Sequence, residues 1–90
     1  MKLSVRTDTI TSKAGDRFVV SLPDGDDSII LNPTASRIWG EIMSTEVVES
    51  VELEKLLLSW YPSLSRETAA GDVSKFVERL KAHFLVEEVG

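Results

Sequence analysis

Asp24, Asp26 and Asp27 crowd one short run of the chain, and carboxylates set so close are the raw material of a calcium loop. The run lacks that loop's spacing and its closing glutamate, so it reads as a solvated turn. The single histidine, His83, and the absence of cysteine leave too few soft donors for the usual transition-metal site. Near a helix C-terminus, where His83 falls, an imidazole suits the helix dipole. Serines are plentiful, yet none sits in a nucleophile elbow or beside an evident base. No glycine-rich loop offers a phosphate cradle. The expectation is a protein that is not an enzyme and that carries no cofactor and no metal.

The remaining chemistry is that of an exposed backbone. Ser28, Ile29, Ile30 and Leu31 form a short β-branched and apolar run between a turn and a helix start. Asp26 and Asp27 guard one end of the run and Pro33 closes the other, so residues 28–31 read as a short open ladder at a sheet edge. An open edge beside an apolar helix gives an extended peptide main-chain hydrogen bonds and side-chain pockets together. Ile29 and Leu31 alternate onto one face and Ser28 and Ile30 onto the other. If the first pair enters the core, Ile30 points away from it. Two readings of Ile30 stand: part of a peptide site, or a residue covered by the N-terminal strand or the tail.

The elements that hold this ladder are strands first and helices afterwards. Two turn signals, Ala14-Gly15-Asp16 and Pro23-Asp24-Gly25-Asp26, divide three strand-like runs. In the second run Phe18, Val20 and Leu22 share a face. The pattern predicts a three-stranded antiparallel meander, stable only when its apolar face is covered. Three helices supply the cover. Asn32-Pro33 is an N-cap followed by proline at the first helical position, which starts a helix over residues 33–43 with Gly40 on its polar side. A second helix starts at Ser50, carries Leu53, Leu56, Leu57 and Trp60, and ends at Tyr61-Pro62. A third begins with Ser65 as cap, and Ala69, Val73, Phe76, Val77, Leu80 and Phe84 form its stripe. Gly71 lies inside it and weakens it by about 1 kcal/mol relative to alanine. Val47 and Val48 follow no period and are not placed. Residues 84–89 read either as a short closing strand or as a frayed end.

Ninety residues with 42% hydrophobic content make a single domain over residues 1–90, with little room for a second core. The fold class is α+β and winged-helix-like: a three-stranded meander followed by three helices. The first ten residues lack the apolar centre of a signal peptide, and no run approaches the ~20 apolar residues that span a bilayer. With no cysteine, the expectation is a cytoplasmic protein and a monomer, without a membrane partner. A net charge of −5 opposes binding to a polyanion. On the third helix Arg66, Lys75, Arg79 and Lys81 alternate with Glu67, Asp72 and Glu78, the mixture of a solvated face rather than of a DNA reader. Nucleic acid is therefore not the expected partner, and a winged-helix DNA-binding domain is the lesser alternative.

The segment Leu31, Asn32, Ala35, Ile38, Trp39 resembles the signature of the PqqD-like family, the leader-peptide recognition elements of ribosomal peptide natural-product pathways. So do Leu53, Leu57 and Tyr61, and Asp72, Val73, Phe76 and Leu80 leading to Phe84-Leu85; together the resemblance spans about residues 19–85. It implies that the leader of a precursor peptide lies antiparallel against the third strand of the meander, in the groove between that strand and the third helix. Carried onto this chain, the groove uses Ser28, Ile29, Ile30 and Leu31 with Val73, Lys75, Phe76, Arg79 and Leu80. Members serving pyrroloquinoline quinone synthesis typically show a Trp-Glu pair near the N-terminus and a Tyr-Pro-Glu-Gly turn. Here the turn carries Pro23-Asp24-Gly25, and no tryptophan precedes Trp39. The chain looks more like the small leader-binding partner of a split lasso-peptide protease, which holds the leader while a separate cysteine protease cuts it. A peptide chaperone for a radical-enzyme or quinone-cofactor pathway is the alternative within the family.

Overall fold

The computed structural model describes residues 1–23 and 28–89. The turn expected at Asp24-Gly25, and with it Asp26 and Asp27, lies outside the described residues. The strands are β1 (Lys2–Val5), β2 (Ile10–Ala14), β3 (Arg17–Ser21), β4 (Ser28–Ile30), β5 (Val47–Glu49) and β6 (Val86–Val89). The helices are α1 (Pro33–Met43), α2 (Ser50–Trp60) and α3 (Arg66–Ala82). The class is α+β, as expected.

The meander is present as β2, β3 and β4 in antiparallel order. Gly15 makes the β2–β3 turn at φ +67°, a conformation that glycine adopts without a Cβ clash. What the sequence pattern does not separate is the first strand-like run, which breaks in two. Residues 6–9 carry the chain from one sheet to the other. There the Arg6 guanidinium clasps the Asp8 carboxylate, Nε to Oδ1 at 2.9 Å and Nη2 to Oδ2 at 2.6 Å. That hydrogen bonding holds the Asp8 carboxyl below its ordinary pKa. β1 then forms the centre of a second antiparallel sheet, ordered β5-β1-β6. Leu3 pairs with Val48 on one side and with Glu88 on the other. Val47 and Val48 are thus strand residues, and the tail is a strand rather than a frayed end.

The helix bounds agree with the sequence because their signals are local. The Asn32 side chain accepts the Ala35 N–H at 2.8 Å, and Ser65 Oγ accepts the Thr68 N–H at 3.1 Å. Trp39 and Ile42 of α1, Leu53 and Leu57 of α2 and Val73, Val77 and Leu80 of α3 meet Val20, Ile29 and Leu31 in one core. The Trp39 indole is fully buried, and its Nε1–H donates to Thr11 Oγ1 at 3.0 Å, which satisfies its single polar group inside the fold. Between α1 and α2, the Arg37 guanidinium lies 4.0 Å from the Trp60 ring centre.

Two expectations are corrected. Gly40 does not lie on a polar side: a Cβ there would stand 3.7 Å from the Phe18 ring, so α1 meets β3 at this point. Phe84 is no part of the α3 stripe. The helix stops at Ala82, His83 caps it, and Phe84 takes a left-handed φ of 59°. Its N–H bonds to the Lys81 carbonyl and the Leu85 N–H to the Leu80 carbonyl, which turns the chain away from the helix axis. Leu85 is buried by this turn, whereas Phe84 is left 71% exposed.

Candidate functional site

Among the described residues β4 pairs with β3 on one side and with no strand on the other. Its register places Val19 opposite Ile30, Val20 opposite Ile29 and Ser21 opposite Ser28. The Leu31 N–H donates to the Phe18 carbonyl at 2.9 Å. Alternate residues of an antiparallel strand direct their backbone groups to opposite neighbours. Leu31 and Ile29 therefore face β3, and the backbone groups of Ser28 and Ile30 face the open edge. This is the parity that the sequence leaves undetermined. The side chains follow the same alternation, with Ile29 and Leu31 buried and Ser28 exposed. Ile30 is 57% exposed, so neither the N-terminal strand nor the tail covers it.

The strand is held at this height by a buried hydroxyl. Ser36 Oγ accepts the Phe18 N–H at 2.8 Å and donates to the Leu31 carbonyl at 3.2 Å. It completes the ladder where the chain is already leaving β4 for α1.

Across from the edge runs α3. Arg79 Nη2 donates to the Ile30 carbonyl at 3.3 Å, so the helix reaches the outward-facing backbone of β4. On its other side Arg79 borders a cavity of about 400 Å³, which also touches Asp72, Lys75 and Phe76 of α3. Ala35 and Ile38 of α1 and Leu57 of α2 give it an apolar floor, while Asn32 and Thr34 stand at the α1 N-terminus. Thr34 Oγ1 lies 3.2 Å from the Tyr61 hydroxyl. An extended segment laid along β4 would find the outward backbone groups of two residues, the Ile30 carbonyl already bonded to Arg79, then a cavity with an apolar floor and charged rim.

The expected groove residues divide into two sets. Ser28 and Ile30 are on the edge, and Lys75, Phe76 and Arg79 line the cavity, Phe76 being 9% exposed. Ile29, Leu31, Val73 and Leu80 lie in the interior, with Leu80 fully buried, and none of them borders the cavity. Asn32, Thr34, Ala35, Ile38, Leu57 and Asp72 border it without having been foreseen there. One signal existed: Asp72, Lys75, Phe76 and Arg79 are spaced to share a helix face. Among the described residues no cluster of His, Asp or Glu could hold a metal ion.

The model of the family described as "Coenzyme PQQ synthesis protein D (PqqD)" matches residues 17–86, from the start of β3 to the start of β6. The chain belongs to the PqqD family. The family signature now has a physical content: Leu31 ends β4 in the core, Asn32 caps α1, Ala35 opens the cavity floor, and Ile38 and Trp39 fill the interior. No curated protein matches this PqqD family member in sequence. In shape it is similar to TbiB1, solved in complex with the TbiA(beta) leader peptide. The TM-score is 0.82 at 20% identity, over 97% of this chain and 98% of that chain. The likeness is one of fold. No helix among the described residues is long and apolar enough to cross a membrane.

Proposed function

We propose that this protein binds the leader segment of a ribosomally made precursor peptide as an added strand along β4. It catalyses nothing itself and presents the leader to a separate processing enzyme, the leader protease of a lasso-peptide pathway. The observation that carries this reading is the edge of β4. Ser28 and Ile30 turn their backbone donors and acceptors outward, and a cavity with an apolar floor opens beside them. Strand addition uses that combination, main-chain bonds for affinity and side-chain pockets for choice. Membership of the PqqD family supports it, as does the shared fold with TbiB1, a protein solved with a leader peptide. On this reading Lys75, Phe76 and Arg79 meet the leader directly, while Ile29, Leu31, Val73 and Leu80 hold the two walls in place. The protein acts as a cytoplasmic monomer.

The family description favours a second pathway, quinone-cofactor synthesis, in which the same groove would chaperone a peptide to a radical enzyme. The Pro23-Asp24-Gly25 sequence and the absence of tryptophan before Trp39 argue for the lasso-type reading. Titration of a fluorescently labelled leader, from a precursor peptide identified among the neighbouring genes, is the test. Saturation at one peptide per protein is expected. No binding to that leader, together with tight DNA binding at physiological salt, would replace the proposal by a winged-helix reading.

A further inference from the structure

The carbonyl of Ile30 is the acceptor that an incoming strand needs, and in the free protein it is already taken. Arg79 Nη2 reaches it at 3.3 Å from α3, on the side from which a peptide would arrive. Lys75 and Arg79 both border the cavity, and neither has a carboxylate within ion-pair distance among the described residues. In a chain of net charge −5, a rim that carries two cations against the single carboxylate of Asp72 is a local exception. An arginine displaced from the carbonyl keeps several N–H donors, and among the described residues the one carboxylate bordering the same cavity, Asp72, stands seven residues away, about 10 Å along α3.

We propose that Arg79 is a displaceable stopper on the β4 edge and, through that role, the residue that selects acidic leaders. The inference rests on the leader-binding reading above. When a leader N–H takes over the Ile30 carbonyl, the guanidinium swings to a carboxylate of the leader beside that position. A leader with the carboxylate regains the hydrogen bonds that the displacement costs. A leader without one displaces Arg79 and returns nothing, so it is penalised even though its backbone fits equally well. Arg79 thus discriminates by what it loses as well as by what it gains.

Arg79→Met, which keeps length and removes the donors, separates these effects. In the free protein the Ile30 carbonyl ¹³C resonance should shift on this substitution while the melting temperature stays the same. Two synthetic forms of the leader are then titrated, the native peptide and one whose Asp and Glu are replaced by Asn and Gln. The wild type should bind the native leader about two- to five-fold more tightly than Arg79→Met does, the range of an exposed ion pair. With the amide form the order should reverse, the methionine variant binding more tightly. A substitution that weakens both peptides equally, or neither, overturns the stopper. An unshifted Ile30 carbonyl does the same without any peptide. Failure of the wild type to bind the native leader overturns the leader reading itself, whatever Arg79 does.

Discussion

The Phe18 amide and the Ser36 hydroxyl lie 2.8 Å apart, and this bond joins β3 to α1 across the end of β4. Because Ser36 also donates to the Leu31 carbonyl, one buried hydroxyl satisfies a donor and an acceptor that would otherwise pair directly in the ladder. Ser36→Ala strands the Phe18 N–H and the Leu31 carbonyl together. The cost should be about 1–3 kcal/mol, the penalty for unmade buried hydrogen bonds. Urea denaturation checks it, and Ser36→Thr, which keeps the hydroxyl, should retain part of the loss.

Proline along β4 tests strand addition by parity. The Ile30 N–H points to the open edge, so Ile30→Pro removes a donor that the fold does not use. That variant should melt cooperatively and lose the leader. The Ile29 N–H faces β3, and its side chain is buried, so Ile29→Pro should unfold the meander. Circular dichroism beside each titration distinguishes the two. A folded Ile30→Pro protein that binds the leader normally would mean that the peptide uses some other surface.

Charge on α3 should matter at the rim and not in the core. Lys75 and Arg79 are exposed, and each contact with a leader carboxylate should contribute about 0–1 kcal/mol. Reversal of both to glutamate should weaken leader binding, more at low salt than at high, and leave thermal stability nearly unchanged. A dissociation constant that ignores both charges at low salt removes these residues from the site.

Gly71→Ala should stabilise the protein by about 1 kcal/mol. The position is exposed within α3, and an added Cβ meets nothing within 4 Å. Leader affinity should not change, because Gly71 borders neither the cavity nor the edge. Thermal denaturation of the two proteins decides it.

Phe84→Gly should likewise raise the melting temperature. A non-glycine residue held at φ 59° carries a strain of about 1–2 kcal/mol, and the exposed ring recovers little of it by burial. A drop in stability would show that the ring makes contacts worth more than the strain.

The helices were legible in the chain because α1 and α3 start on side-chain caps and α2 shows its apolar spacing from the start. Asn32 and Ser65 cap α1 and α3, Ser50 is the first residue of α2, and the apolar spacing does the rest. β5 was not, since three residues hold no period and its partner, β1, lies more than forty residues earlier. The division between β1 and β2 is marked locally by Asp8 alone, between two threonines that suit a strand, and the partners that draw β1 away, β5 and β6, are distant. Phe84 was misplaced because it continues the apolar spacing of α3 for one more turn, and the left-handed stop after Ala82 uses a residue that rarely accepts it. At the site, the alternation of Ile29 and Ile30 was visible. Which of them turns its amide outward depends on β3, and no local pattern encodes that. The cavity floor was hidden in the same way, since Ala35, Ile38 and Leu57 read as ordinary core residues of separate helices.

The central place of β1 in the second sheet bears on how the chain comes to be folded as it is made. Residues 2–5 leave the ribosome before either of their partners, Val47–Glu49 and Val86–Val89. The meander, by contrast, pairs neighbours within residues 10–30 and can close from local contacts while synthesis continues. A nascent chain would therefore display the β4 edge well before its second sheet exists. In that interval the edge is as open to other nascent strands as to a leader, and β1 waits for β6 before the second sheet can close.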